Sequence, residues 1–172
     1  MLIVETGQGT EFADSYLTEV DAQVLAIKYG IEFPIDVDAA EVALRQGYLN
    51  LNTNEQMLQG YRSYEIQTGI FPRSDVYANN YLVASDAVPE DIKLAQLYAA
   101  SAISGGVDVN ATNDGQNLKS FNVDGVYSEE YQDGSRIKVN SRIQGVYNSL
   151  YPYSKQAIGL NGRSFRAHED IY

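Results

Sequence analysis

The sequence predicts a mainly α protein: a small helical bundle with a β-hairpin or extended-loop insertion and an extended C-terminal tail. Three observations point there. Apolar residues recur every three to four positions behind recognisable capping residues in the first two thirds of the chain. The pair Asp124-Gly125, suited to a two-residue type I′ turn, lies between Leu118, Phe121 and Val123 on one side and Val126, Tyr127 and Tyr131 on the other. From Ser154 onward the period disappears. A chain of 172 residues suits one domain with appendages and is too short for two ordinary domains.

The first helix is expected at about 19–29. Thr18 stands three residues before Asp21 as a capping pair, Val20, Val24, Ala26 and Ile27 make the apolar side, and Gly30 ends the turn. Pro34 separates it from a second helix at about 39–52. Asp38 is its expected cap, Ala39, Val42, Ala43, Gln46 and Leu49 its inward face, and Gly47 its weak point. LNTNEQMLQGYRSY reads as an irregular turn or short helix, and IFPRSDVYANNYLVASDAV as a loop in which Pro72 excludes regular helix. Pro89, Glu90 and Asp91 open a third helix, about 89–104, followed by Ile92, Ala95, Gln96, Ala99 and Ile103 and stopped by Gly105-Gly106. Residues 105–116 form a polar linker into the hairpin, and Ile143, Val146, Tyr147 and Leu150 mark a short helix ending before Pro152. The resulting division is 1–117 acidic helical body, 118–134 hairpin insertion, 135–153 short helix completing the body, and 154–172 tail. A two-stranded ribbon is marginal alone in water, so the hairpin needs a surface to lean on.

Composition excludes several chemistries. Without cysteine there is no disulfide, thiolate metal site or thiol nucleophile, and the lone His168 does not make a triad or a His-rich metal centre. No long apolar run follows Met1, so neither a signal peptide nor a membrane span is expected and the protein should be cytosolic. Net charge is −11, unevenly distributed: residues 1–116 hold 17 acidic against 5 basic residues, residues 117–172 hold 6 against 7. The 14 tyrosines, against 5 phenylalanines and no tryptophan, suit half-wet contacts and hint at large interfaces. Glu129-Glu130 and Asp36/Asp38 are carboxylate pairs in polar surroundings rather than acid–base machinery. Asp108 to Gly115 lacks the spacing and terminal Glu of a calcium loop, and Gly7-Gln-Gly9 is too short for a nucleotide fingerprint. No enzyme activity, cofactor or metal is expected.

The opening VETGQGTEFADSYLTEVDAQ, then LRQGYLNLN, GYRSY, the tripeptide FPR, VPEDIKLAQLYAA and KSFNVDGVYSEEY follow one another in an order that resembles the head–tail connector (adaptor) proteins of tailed bacteriophages, often labelled DnaT-like. FPR stands where that family more usually has Trp-Pro-Arg. The resemblance implies a structural virion protein of the neck, assembled in the host cytoplasm. It would form a twelvefold ring joining the portal protein to tail or nozzle proteins and passing genomic DNA without holding it tightly, with no membrane partner and no catalytic residue. In that setting Phe121, Val123, Tyr127 and Tyr131 would meet a neighbouring subunit, and Glu32, Asp36, Asp38 and Glu41 are candidates for an acidic channel lining. Arg163, Phe165, Arg166 and Tyr172 of the tail would dock on the portal. The alternative is a single-stranded-DNA-binding DnaT-like replication protein, which needs a positive groove with stacking aromatics. The aromatics are present, and the overall charge opposes it. A third class, an acidic DNA mimic that inhibits a host factor, fits the charge and not the organisation.

Overall fold

The computed structural model describes residues 1–107, 118–122, 128–131 and 141–160. In chain order it runs α1 (Glu19–Tyr29), α2 (Val37–Asn52), a 3-10 turn (Glu55–Met57), the two-residue strands β1 (Tyr61–Arg62), β2 (Arg73–Ser74), β3 (Tyr77–Ala78) and β4 (Tyr81–Leu82), then α3 (Glu90–Ser104), β5 (Leu118–Asn122), β6 (Ser128–Tyr131), α4 (Ser141–Leu150), a second 3-10 turn (Tyr151–Tyr153) and α5 (Lys155–Leu160). The fold is mainly α. Its strands pair as antiparallel ribbons, β1 with β2, β3 with β4 and β5 with β6.

Local chemistry sets the helix ends. Thr18 Oγ1 accepts from the Asp21 amide at 3.1 Å, and Gly30, at φ 65°, turns its N–H back onto the Ala26 and Ile27 carbonyls. In α2 the cap is Asp36 rather than Asp38: its Oδ1 accepts from the Ala39 amide at 3.0 Å, which starts the helix two residues earlier than expected. Pro89 precedes α3, with Glu90 and Asp91 in its first turn.

Helix α3 packs against α2 on one side and α4 on the other. Gly47 is where α2 and α3 come closest. A Cβ there would stand 2.8 Å from the Gln96 carbonyl oxygen and 3.0 Å from the Ala100 nitrogen, so the residue expected to weaken α2 is what lets the two helices meet. Beside it the Gln96 side chain, fully buried, accepts from the Tyr16 amide (2.8 Å) and donates to Ser15 Oγ (2.8 Å) and the Leu44 carbonyl (2.9 Å). One side chain thus ties the N-terminal segment to both central helices. That segment is itself wound around the buried Glu5, whose carboxylate accepts from the amides of Gly7 (2.6 Å), Gly9 (3.1 Å) and Thr10 (2.5 Å).

Two helix faces differ from the sequence expectation. On α1 it is Ala22 and Ala26 that are buried, while Val20, Val24 and Ile27 face solvent, Ile27 at 82% exposure. On α2 Val42 and Leu49 are exposed and the inward set is Ala40, Ala43, Leu44, Gly47, Tyr48 and Leu51. Both helices carry apolar residues at helical period on two sides, and the side with small residues permits the closer approach.

Three further expectations change. The stretch read as a loop after Phe71 holds β2, β3 and β4. Residues 155–160, expected as extended tail, form α5. The β5–β6 pairing is present, but Asn122 lies opposite Ser128, whereas a two-residue turn at Asp124-Gly125 would set it opposite Tyr127. That one-residue offset is taken up between Leu118 and Ser120, where the register shifts and Leu118 lies opposite Tyr131. Asp124 and Gly125 lie outside the described residues, as does the polar stretch 108–116.

Candidate functional site

The end of the molecule around β1–β4 is assembled by two buried polar side chains. Arg73, only 3% exposed, donates from Nε to the Gln59 carbonyl (2.8 Å), from one terminal nitrogen to the Ile70 carbonyl (3.2 Å) and Glu55 (3.3 Å), and from the other to the Gly60 carbonyl (2.8 Å). Burial pulls its ionisation down, and the hydrogen bond to Glu55 works against that pull. Glu55 also holds Arg62 at 2.7 Å, and that pairing, ahead of the one with Arg73, keeps the Glu55 carboxyl below its usual range. The arginine of the FPR tripeptide is therefore a structural staple beneath the ribbons.

Gln59 is the second. Its backbone N–H donates to the Tyr153 carbonyl at 2.9 Å. Its side-chain amide accepts from the Tyr77 N–H (3.0 Å) and donates to the carbonyls of Tyr77 (3.1 Å), Ser154 (2.9 Å) and Pro152 (3.4 Å). The first residue of β3 and the turn ahead of α5 thus share one amide group. Lys155, next in the chain, reaches the Gln56 carbonyl at 3.0 Å and is solvent-exposed.

Between β3 and β4 lies a two-residue turn, Asn79-Asn80, with φ of 52° and 70°. Positive φ at both positions is the type I′ geometry that matches strand twist, and asparagine tolerates it best after glycine. Val76 is fully buried and Ala78 and Val83 pack on the core, anchoring the ribbon. Tyr77, Tyr81 and Leu82 point outward at 53%, 79% and 62% exposure. No charged residue occurs from Val76 to Ser85.

Charge along the chain adds a feature that halving it at residue 116 hid. Residues 134–168 contain no Asp or Glu and six cations, Arg136, Lys138, Arg142, Lys155, Arg163 and Arg166, whereas residues 1–133 carry 21 acids and 6 cations. Within the acid-free stretch, Arg142 is bound to the Ser101 carbonyl (3.1 Å) and Glu32. Lys155 stands beside the Gln59 clamp, and Arg136, Lys138, Arg163 and Arg166 lie outside the described residues.

The residues singled out in the sequence are not brought into one site. Val123, Tyr127, Arg163, Phe165, Arg166 and Tyr172 lie outside the described residues, and Phe121 and Tyr131 are placed only as backbone in β5 and β6. Of the four acids considered for a channel lining, Asp36 is a helix cap and Glu32 binds Arg142. Glu41 bridges the Met1 ammonium (2.6 Å) and Arg45 (3.0 Å), and the ammonium above all holds its carboxyl down to about 2. Only Asp38 has no such role in view. Among the described residues no cluster of His, Asp or Glu is placed to hold a metal ion, and no helix is long and apolar enough to cross a membrane.

The class defined so far is a mainly α domain with an outward aromatic ribbon joined through Gln59 to the Pro152–Ser154 turn. A family model described as "Putative DnaT-like ssDNA binding protein" matches residues 1–167, and the chain belongs to that family. Comparison with curated proteins and with solved structures gives no match. The family match overturns the head–tail connector reading, together with its virion setting, its portal, tail or nozzle partners and its twelvefold self-assembly, and favours the ssDNA-binding alternative. The physical error lay in testing strand binding against net charge, when the acids and the cations occupy different stretches of the chain.

Proposed function

We propose that the protein binds single-stranded DNA in a non-enzymatic role, using the basic stretch 134–168 to neutralise phosphates. The observation that carries this reading is the family match across residues 1–167. The six cations of an acid-free stretch supply the electrostatics that the chain's net −11 conceals. The acidic remainder limits where a strand can lie, because like charges repel within a Debye length of about 8 Å at physiological salt.

Fluorescence anisotropy with a labelled oligo(dT) at several salt concentrations tests it. Binding should be measurable at low salt and weaken as salt rises. With six phosphates at most neutralised, the slope of log K against log salt should be no steeper than about −4, at roughly 0.7 per phosphate for single strands. Replacing Lys155, Arg163 and Arg166 together by Gln should lower affinity for every sequence and flatten the slope by about 2. No binding to oligo(dT) at low salt overturns the proposal.

A further inference from the structure

The two sides of α4 differ in chemistry. Val146, Ser149 and Leu150 are buried on the side that meets α3, and a Cβ on Gly145 would stand 2.7 Å from the Tyr98 ring. With about 3.6 residues per turn, the opposite side carries Gln144, Tyr147, Asn148 and Tyr151. All four are exposed, the two rings at 47% and 41%. Leu150 keeps helical backbone (φ −81°, ψ −25°) where α4 passes into the second 3-10 turn, so Tyr147 and Tyr151 stay one turn apart on that side. The next tyrosine, Tyr153, turns inward and donates its hydroxyl to Asp91 at 2.9 Å. Val146, Leu150 and Tyr153 join the core, and the two outward rings do not. No carboxylate occurs in the chain from residue 134 to 168, and Lys155, four residues past Tyr151, bonds a carbonyl oxygen, that of Gln56, rather than an acid.

We infer that Tyr147 and Tyr151 form a base-stacking platform for single-stranded DNA on the outward side of α4. This rests on the ssDNA-binding reading above. A phenol ring offers a flat π-face that any base can stack on, so the platform is sequence-tolerant, and it requires bases that are not already paired. Side chains four apart on a helix have Cβ atoms about 5–6 Å apart, so the two rings serve neighbouring bases. Between them lies an amide pair, Gln144 donating to Asn148 at 2.9 Å, and each amide has donors and lone pairs beyond that one bond for the edges of the stacked bases. The side is uncharged from Gln144 to Tyr151, so phosphates beside it meet no like charge from α4 itself. A helix packed along α3 holds both Cα positions fixed, so only ring rotamers need ordering on binding.

The test compares three probes of equal length, oligo(dT), an abasic oligomer and a duplex. The proteins are the wild-type chain, a Tyr147→Ala/Tyr151→Ala double variant, a Tyr147→Phe/Tyr151→Phe double variant that keeps both rings, and Tyr81→Ala, which removes an exposed ring elsewhere. Far-UV circular dichroism first confirms native structure in each. The wild type should bind oligo(dT) at least about tenfold more tightly than the abasic oligomer, and the alanine variant should lose that preference, at about tenfold per stacked ring, with its salt slope unchanged. The phenylalanine variant and Tyr81→Ala should keep it. Photo-cross-linking of the wild type to a bromouracil-substituted oligomer needs no variant and should map to Tyr147 or Tyr151. Equal binding of oligo(dT) and abasic oligomer by the wild type, tighter binding of duplex, a folded alanine variant that still discriminates, loss of the preference in Tyr81→Ala, or cross-links that map only elsewhere each overturns the platform while leaving the ssDNA-binding reading intact. A wild type that binds none of the three probes overturns that reading, and the platform falls with it.

Discussion

Replacing Arg73 by Met keeps an unbranched stem of similar reach and removes every donor of the guanidinium. Three backbone carbonyls, of Gln59, Gly60 and Ile70, then lose charged partners at 2.8, 2.8 and 3.2 Å, in a region where Arg73 is 3% exposed and water cannot readily replace it. Glu55 loses its 3.3 Å contact but keeps Arg62 at 2.7 Å, so no carboxylate is stranded. A hydrogen bond to a charged group is worth about 1.5–3 kcal/mol, and neighbouring bonds are not additive, so the net loss should be about 3 kcal/mol. For a chain of this size that lowers Tm by about 6–12 °C. Arg73→Lys, which can restore one bond of the fork, should fall between. Thermal and urea melts followed by circular dichroism read the effect. A drop below about 2 °C for Arg73→Met would mean that the staple contributes nothing the fold lacks elsewhere. Because Arg73 lies under the ribbons, the folded variant should bind oligo(dT) with the wild-type salt slope.

Other perturbations probe the remaining joints. Gly47→Ala should cost about 1–3 kcal/mol in a urea melt, since the new Cβ meets backbone atoms of α3 at 2.8 and 3.0 Å; an unchanged midpoint would deny the close approach. Glu5→Gln puts an amide donor where three backbone N–H groups converge and should destabilise by about 2 kcal/mol, with amide exchange accelerated first at residues 7–10. Burial raises the ionisation of Tyr16, Tyr48 and Tyr153 above the ordinary value of 10.0. The unfolded chain therefore releases these protons first, so the stability they contribute is intact below pH 10 and is lost progressively as pH rises above it. Tyrosinate absorbance should show these three tyrosines titrating only with loss of structure; their titration near pH 10 in the folded protein would contradict this.

The ends of α1 and α3 were legible because their signals are local, whereas α2 offered two acids two residues apart and Asp36, not Asp38, is its cap. Thr18 with Asp21, Pro89 with Glu90 and Asp91, and the stops at Gly30 and Gly105-Gly106 need no tertiary knowledge. Which side of a helix faces in was not legible, since α1 and α2 repeat apolar residues on both sides and only the packed partner decides whether Ala22 or Val24 is buried. Gln96 stood in the helical period of the third helix, but its three bonds were not legible, because they depend on Tyr16, Ser15 and Leu44, far away in sequence. The β3–β4 ribbon was missed for a different reason. Its strands are two residues long, and its turn carries Asn-Asn instead of the stronger Asn-Gly, so YANNYL reads as loop unless the two asparagines are taken as a positive-φ pair.

Electrostatics separates the two functional readings most sharply. A sum over the chain is the right quantity for solubility and for the distant field, and there this protein repels nucleic acid. A bound strand, however, responds to charges within about 8 Å at physiological salt, so two stretches of opposite bias act on it separately. Several acids that a whole-chain sum counts as repulsive are already neutralised or capped: Glu32 by Arg142, Glu55 by Arg62 and Arg73, Glu41 by Met1 and Arg45, and Asp36 by the start of α2. The acids left over still matter, as a constraint on orientation. Under the proposed ssDNA-binding reading they disfavour paths for a strand across the acidic body, so the same negative charge that argued against DNA binding would limit where a strand can lie.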